Sequence, residues 1–158
     1  MATISRNKFQ PQFGGVPYGN LSALTYTMVT NAAGAFIESD SAVAIGLGDK
    51  VRLGVLPAGF TMYDADVYVS DAFTALVTAK IGFEYVDGVD SVEVPQDDDY
   101  FGAAHTLHTA GRYGSTNLTV APVTLPKDAY LIMTTAGAAN AAAGRVDVVV
   151  SGVLNGTV

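Results

Sequence analysis

The chain has 158 residues and a mass of 16.3 kDa, enough for one domain with its own core. It contains no cysteine, which excludes disulfides, thiolate metal sites and cysteine nucleophiles. Charged residues make up only 15% against about 25% in ordinary globular chains, and the net charge is −7, which argues against nucleic-acid binding by the body of the protein.

Residues 1–20 differ from the rest. They carry Arg6 and Lys8 and no acid, so the acidity lies wholly in the remainder. Pro11, Pro17, Gly14, Gly15 and Gly19 argue against regular structure there. Phe9, Phe13 and Tyr18 are nonetheless present, and solvated tails seldom hold aromatics because they have nothing to bury them against. Two readings stay open: a disordered leader, or an extended arm whose rings dock on a neighbouring chain. The division expected is an arm over 1–20 and a body over 21–158. The start lacks the apolar stretch of a secretory signal.

The body reads as strands. Apolar residues with interleaved Thr and Tyr mark Leu21–Val29, and strict alternation marks Lys50–Leu56, with Val51, Leu53 and Val55 on one face. Met62–Ser70 sets Asp64 and Asp66 against Ala65, Val67 and Val69. Ala79–Val86 sets Ile81, Phe83 and Tyr85 against Lys80, Gly82 and Glu84. Asn117–Ala121 and Tyr130–Thr135 are shorter candidates, and Arg145–Leu154 places Val146, Val148 and Val150 together. Pro-Ala-Gly at 57–59, Asp87-Gly88, Pro126-Lys127-Asp128 and Asn155-Gly156 supply turns.

Helix is confined to two weak candidates, Asp71–Thr78 with Asp71 as N-cap, and Tyr100–Ala110. Crossover helices for a parallel sheet are missing. The expected fold is all-β: an antiparallel β-sandwich or jelly-roll-like single domain with an extended N-terminal arm. Two loops stand out: the acidic 87–100, and the Ala/Gly run 136–144, which reads as a hairpin loop of small residues. The longest apolar stretch, near Val146–Leu154, contains Asp147 and falls far short of the ~18 residues a membrane helix requires.

Catalytic templates fit poorly. There is no G-x-S-x-G elbow, and Gly46-Leu47-Gly48-Asp49-Lys50 lacks the Ser/Thr and helix of a phosphate loop. His105 and His108, three apart, would offer two metal ligands on a helix, with Asp97, Asp98 or Asp99 as a third, but nothing in the spacing requires it. The Asp97–Asp99 run does not follow the EF-hand pattern and reads as a solvated loop. Asp64 and Asp66 share a strand face, which suits a solvent-facing edge as well as an acid pair. No enzyme, cofactor or metal is expected.

The run Val51-Arg52-Leu53-Gly54-Val55-Leu56-Pro57-Ala58-Gly59, then TMYDADVYVSDAF and TAKIGFEYVDG, resembles a phrase recurrent in structural proteins of tailed-bacteriophage particles. Ala129–Thr135, the small-residue loop and Gly144–Val150 are similar to the closing hairpin of the same proteins. The resemblance covers roughly half the chain and leaves out the arm and the acidic loop. It implies a capsid decoration (cement) protein on the outer surface of the virion, made in the host cytoplasm. The partner would be the major capsid protein, and the chain a homo-oligomer, a trimer before a dimer. The docking residues expected are Arg6, Lys8, Phe9, Phe13 and Tyr18 of the arm. The alternatives are a head-fibre or tail component, and a glycan-binding module.

Overall fold

The computed structural model describes residues 1–8 and 17–155. Among the described residues, ten strands form two sheets: β1 (Thr3–Ser5), β2 (Leu21–Thr30), β3 (Lys50–Leu56), β4 (Phe60–Asp71), β5 (Thr78–Tyr85), β6 (Asp97–Thr106), β7 (Gly111–Tyr113), β8 (Val123–Thr124), β9 (Ala129–Ala136) and β10 (Gly144–Leu154). One sheet has the order β1-β3-β9-β5-β6. The other runs β2-β10-β4-β7, with β8 also pairing β4. All pairings are antiparallel except that of β1 with β3. The expected all-β sandwich is the observed fold.

Period-two patterning explains the packing. Val146, Val148 and Val150 of β10, Ala65, Val67 and Val69 of β4, and Ala79, Ile81 and Phe83 of β5 are all buried in one shared core. At roughly 25 cal/mol per Å² of apolar surface removed from water, this layer is the main favourable contribution to folding. Aromatic edges fill one flank, where Phe83, Tyr85, Tyr100 and Phe101 make successive edge-to-face contacts.

Several sequence expectations are corrected. Among the described residues there is no helix. The 71–78 segment is too short to repay helix nucleation, and its backbone is engaged elsewhere: Phe73 N–H bonds Leu107 O, and Val77 O accepts from Leu107 N–H. Tyr100–Ala110 falls largely in β6, where Gly102, at φ 152°, has a conformation no helix contains. Asp97–Asp99 open β6 rather than lying in a loop, and 117–121 is not a strand. The 137–143 segment is no hairpin, since β9 and β10 belong to different sheets and the loop crosses between them. In the 1–20 segment, β1 is regular structure after all, with Ile4 only 2% exposed in the core.

Val55 also faces the other way. The β3–β9 register shifts between Arg52 and Gly54, so Leu53 and Leu56 point inward while Val55 is only part-buried. The cause is across the sandwich. Tyr26 of β2 lays its ring on Gly54, where any Cβ would collide with it. Its hydroxyl donates to Val55 O at 2.7 Å. Gly54→Val should therefore cost about 3 kcal/mol as an overpacked core site, and Tyr26→Phe about 1 kcal/mol for the lost hydrogen bond. Urea midpoints of the two variants check both figures.

Candidate functional site

The described parts of the arm lie toward opposite ends of β2. At its root, β1 adds to the edge of β3, and Asn7 N–H and Asp40 N–H bond Glu38 O and Ser5 O. Arg6 reaches from this edge to the other sheet: Nη1 donates to Thr27 O at 3.3 Å and Nη2 to Glu38 Oε2 at 3.3 Å. Its side chain is only 11% exposed. Lys8 is exposed. Tyr18 bridges Leu154 at the far end with its ring largely in solvent. Phe9 and Phe13 lie outside the described residues. The structure thus shows Arg6 as a tie between the sheets and leaves Lys8 and Tyr18 as open groups well apart.

The histidines do not form a pair. His105 is buried in β6, its Nε2 against Phe101 O at 3.2 Å, while His108 Nδ1 meets Val77 O at 3.0 Å. Burial pushes His105 below the usual histidine value, the Phe101 carbonyl offsetting part of that effect. Asp97, Asp98 and Asp99 bring their oxygens within 4.8 Å of one another. Lys80 occupies Asp98 at 3.2 Å, and Asp97 accepts the Asp99 N–H. The hydrogen bond that the protonated Asp99 carboxyl donates to the Asp97 carboxylate, and then partial burial, raise Asp99 above its usual range. Asp66 pairs with Arg112 at 2.7 Å, and the Asp64 carboxylate accepts the Ala65 N–H, so the acid pair on β4 is engaged separately.

A charged cluster covers the outer face of the first sheet. Glu84 of β5 accepts from Lys50 Nζ at 2.5 Å and Arg52 Nε at 2.7 Å, and Arg52 stacks over the Tyr130 ring at 4.5 Å. Register places Ile132 of β9 between Arg52 and Gly82, where it is buried although it faces away from the core. Burial opposes ionisation of Glu84, but the two cations outweigh it and hold the carboxyl below its usual range.

The part the sequence concealed is Asn140. It sits alone among Ala and Gly and is 1% exposed. Its Oδ1 accepts from Thr74 N–H and Oγ1, each at 3.1 Å, and its Nδ2 donates to Ala142 O at 2.8 Å and Thr30 Oγ1 at 3.2 Å. Its own N–H donates to Ile45 O at 2.8 Å. Three loops, 31–49, 72–77 and 137–143, are thereby tied at one end of the sandwich. Gly34, at φ 83°, packs on the Asn140 carbonyl where a side chain would collide. The only sequence signal was a single polar residue in an apolar, small-residue run.

A chain in a solved structure described as "Capsid of Ralstonia phage GP4" matches this one with a TM-score of 0.65 and 18% identity, over 96% of this chain and 97% of that one. A chain in "Acidic stable capsid structure of Helicobacter pylori bacteriophage KHP30" matches at TM-score 0.49 and 12% identity, over 85% of this chain and 92% of that one. The likeness to the GP4 chain is one of fold. No protein-family model and no curated protein matches the sequence.

Two measurements follow from these contacts. Asn140→Ala leaves buried loop groups unpaired and should cost about 3 kcal/mol, read as a lower urea midpoint. Burial keeps folded His105 neutral to lower pH than in the unfolded chain, which takes up a proton near the ordinary value of 6.5. Stability should therefore be full above that pH and fall as pH drops below it. Urea midpoints between about pH 7 and pH 5.5 should show this loss in the native protein and a smaller one in His105→Gln.

Proposed function

We propose that this chain is a structural protein of a bacteriophage particle, decorating the outside of the capsid and stabilising it by bridging neighbouring capsid subunits. The observation that carries the reading is the end-to-end match of fold and size to a chain of the GP4 capsid structure. The chain's own chemistry supports it. Many of the described titratable groups, among them Asp66, Glu84, Asp87 and Asp98, are held in ion pairs rather than convergent on a reaction centre. The low charge content leaves a surface suited to burial against other chains.

A decoration protein acts by mass action: it binds the assembled lattice and not the free subunit, so each bound copy shifts the equilibrium toward the shell. An oligomer of weak contacts gains strength through effective concentration. The major capsid protein is then the partner, and the arm is the docking element, through Lys8, Phe9, Phe13 and Tyr18, with Arg6 fixing where the arm leaves the body. Truncating the whole arm would also remove β1 and buried Ile4, so point changes make the cleaner test.

Purified protein should co-sediment with heads of its phage that lack it, reaching a saturating ratio. Phe9→Ala combined with Phe13→Ala should weaken binding about tenfold or more, equivalent to about 1.4 kcal/mol. Binding unchanged in the double variant removes the arm from the interface, and no binding of the native protein contradicts the decoration reading itself.

A further inference from the structure

The two ends of the sandwich differ sharply in charge. At one end, the turn after β5 and the start of β6 display Asp87, Asp90, Glu93, Asp97, Asp98 and Asp99. At the other, segments 31–35, 42–48, 72–77, 107–111 and 137–144 meet, and they contain no Asp, Glu, Lys or Arg. Hydrogen bonds and a bridge join them. Asn140 ties the first three loops together through Ile45 and Thr74, and Ala35 bridges Ala44. Leu107 and His108 both bond Val77 O. The charges that border this end are mostly engaged: Asp49 accepts from Ala2 and Gly46 N–H, Arg112 pairs with Asp66 and the exposed Arg145 with Asp147, while Asp71 lies exposed at the rim. Glu38 and Asp40 lie down the flank against β1, where Glu38 pairs with Arg6.

This end also displays large apolar side chains. Val43 is 72% exposed, Leu47 61% and Leu76 68%. Leu76 has a φ of 70°, a left-handed conformation that costs a bulky residue about 1 kcal/mol or more. Its carbonyl packs under Gly137, where no side chain would fit. The fold therefore holds an apolar side chain in solvent, in a strained backbone, on a loop whose neighbours are fixed by hydrogen bonds. Such a surface is preorganised, so its burial loses little further entropy.

We propose that copies of this chain associate through the charge-free end, each packed against the same end of its neighbours around a symmetry axis. The charge distribution selects a second copy as the occupant. Near a symmetry axis identical residues converge, so a charge there meets its own like, and a bulky side chain its own bulk. The charge-free end, with Ala and Gly between its few large residues, meets neither cost. The acidic end meets the first several times over. Copies arranged as spokes would also hold their acidic ends apart. β4 alone, at 12 residues, spans about 40 Å, several times the screening length of about 8 Å at physiological salt.

The inference deepens the oligomer half of the proposed function. Its readout is mass in solution with no particle present, so a monomer that still co-sediments with heads overturns this inference and leaves that reading standing. Sedimentation equilibrium of the native protein at micromolar concentration should give a multiple of 16.3 kDa. Val43→Asp and Leu76→Asp should each reduce it to a monomer. Both positions are exposed, and Asp accepts the left-handed conformation better than Leu, so thermal midpoints measured under monomeric conditions should not fall. Val92→Asp, at the acidic end and 100% exposed, should leave the assembly intact.

The chain has no cysteine, so single replacements report directly. Leu76→Cys should cross-link between copies on mild oxidation, and Val92→Cys should not. A monomeric native protein, native mass in both Asp variants, or cross-linking at Val92 in preference to Leu76 would overturn the proposal.

Discussion

Two sheets facing each other need their ends closed, and here one end is closed by a single amide. Asn140 supplies its Oδ1, its Nδ2 and its own N–H to groups on three loops, at almost complete burial. Without its side chain, the Thr74 N–H would lose its acceptor, and Thr30 Oγ1 and Ala142 O would lose the donor they share, at a cost of about 1–3 kcal/mol for each buried group left unpaired. The crossing from β9 to β10 runs through the same knot. The route of the chain between sheets and the shape of the charge-free end thus depend on one side chain.

Sheet-to-sheet ties elsewhere follow the same economy. Arg6 spans from the β1 edge to Thr27 O of β2, and Tyr26 spans from β2 to Val55 O of β3. Both sit on the flank where the two sheets would otherwise part. On the outer face of the first sheet, Glu84 joins Lys50 and Arg52 over Ile132. Most of the few charges the chain possesses go to internal contacts or to the acidic end. The opposite end is left to apolar and small residues.

Much of this was legible in the sequence. Strand alternation placed β2, β3, β4, β5, β9 and β10 within a residue or two, because a half-buried strand must repeat every second residue. What failed depended on distant partners. Val55 turns outward because Tyr26 occupies the space beside Gly54, a contact across 28 positions of sequence that periodicity does not see. The 71–78 segment offered Asp71 as the N-cap of a short helix, yet its hydrogen bonds go to Leu107 and Asn140. Asn140 itself read as an incidental member of a small-residue loop. Of the arm, Arg6 and Tyr18 could be named from composition. That Ile4 would anchor a strand beside Arg6 could not, since three residues carry no period.

We propose binding to an assembled shell, rather than any reaction, as the role of this protein. Calorimetric melting of phage heads that lack the protein, with increasing amounts of it added, tests that claim most directly. The account predicts a head transition that climbs with protein concentration and levels off at saturation, as ligand linkage requires. A head transition that stays in place at every concentration would contradict it.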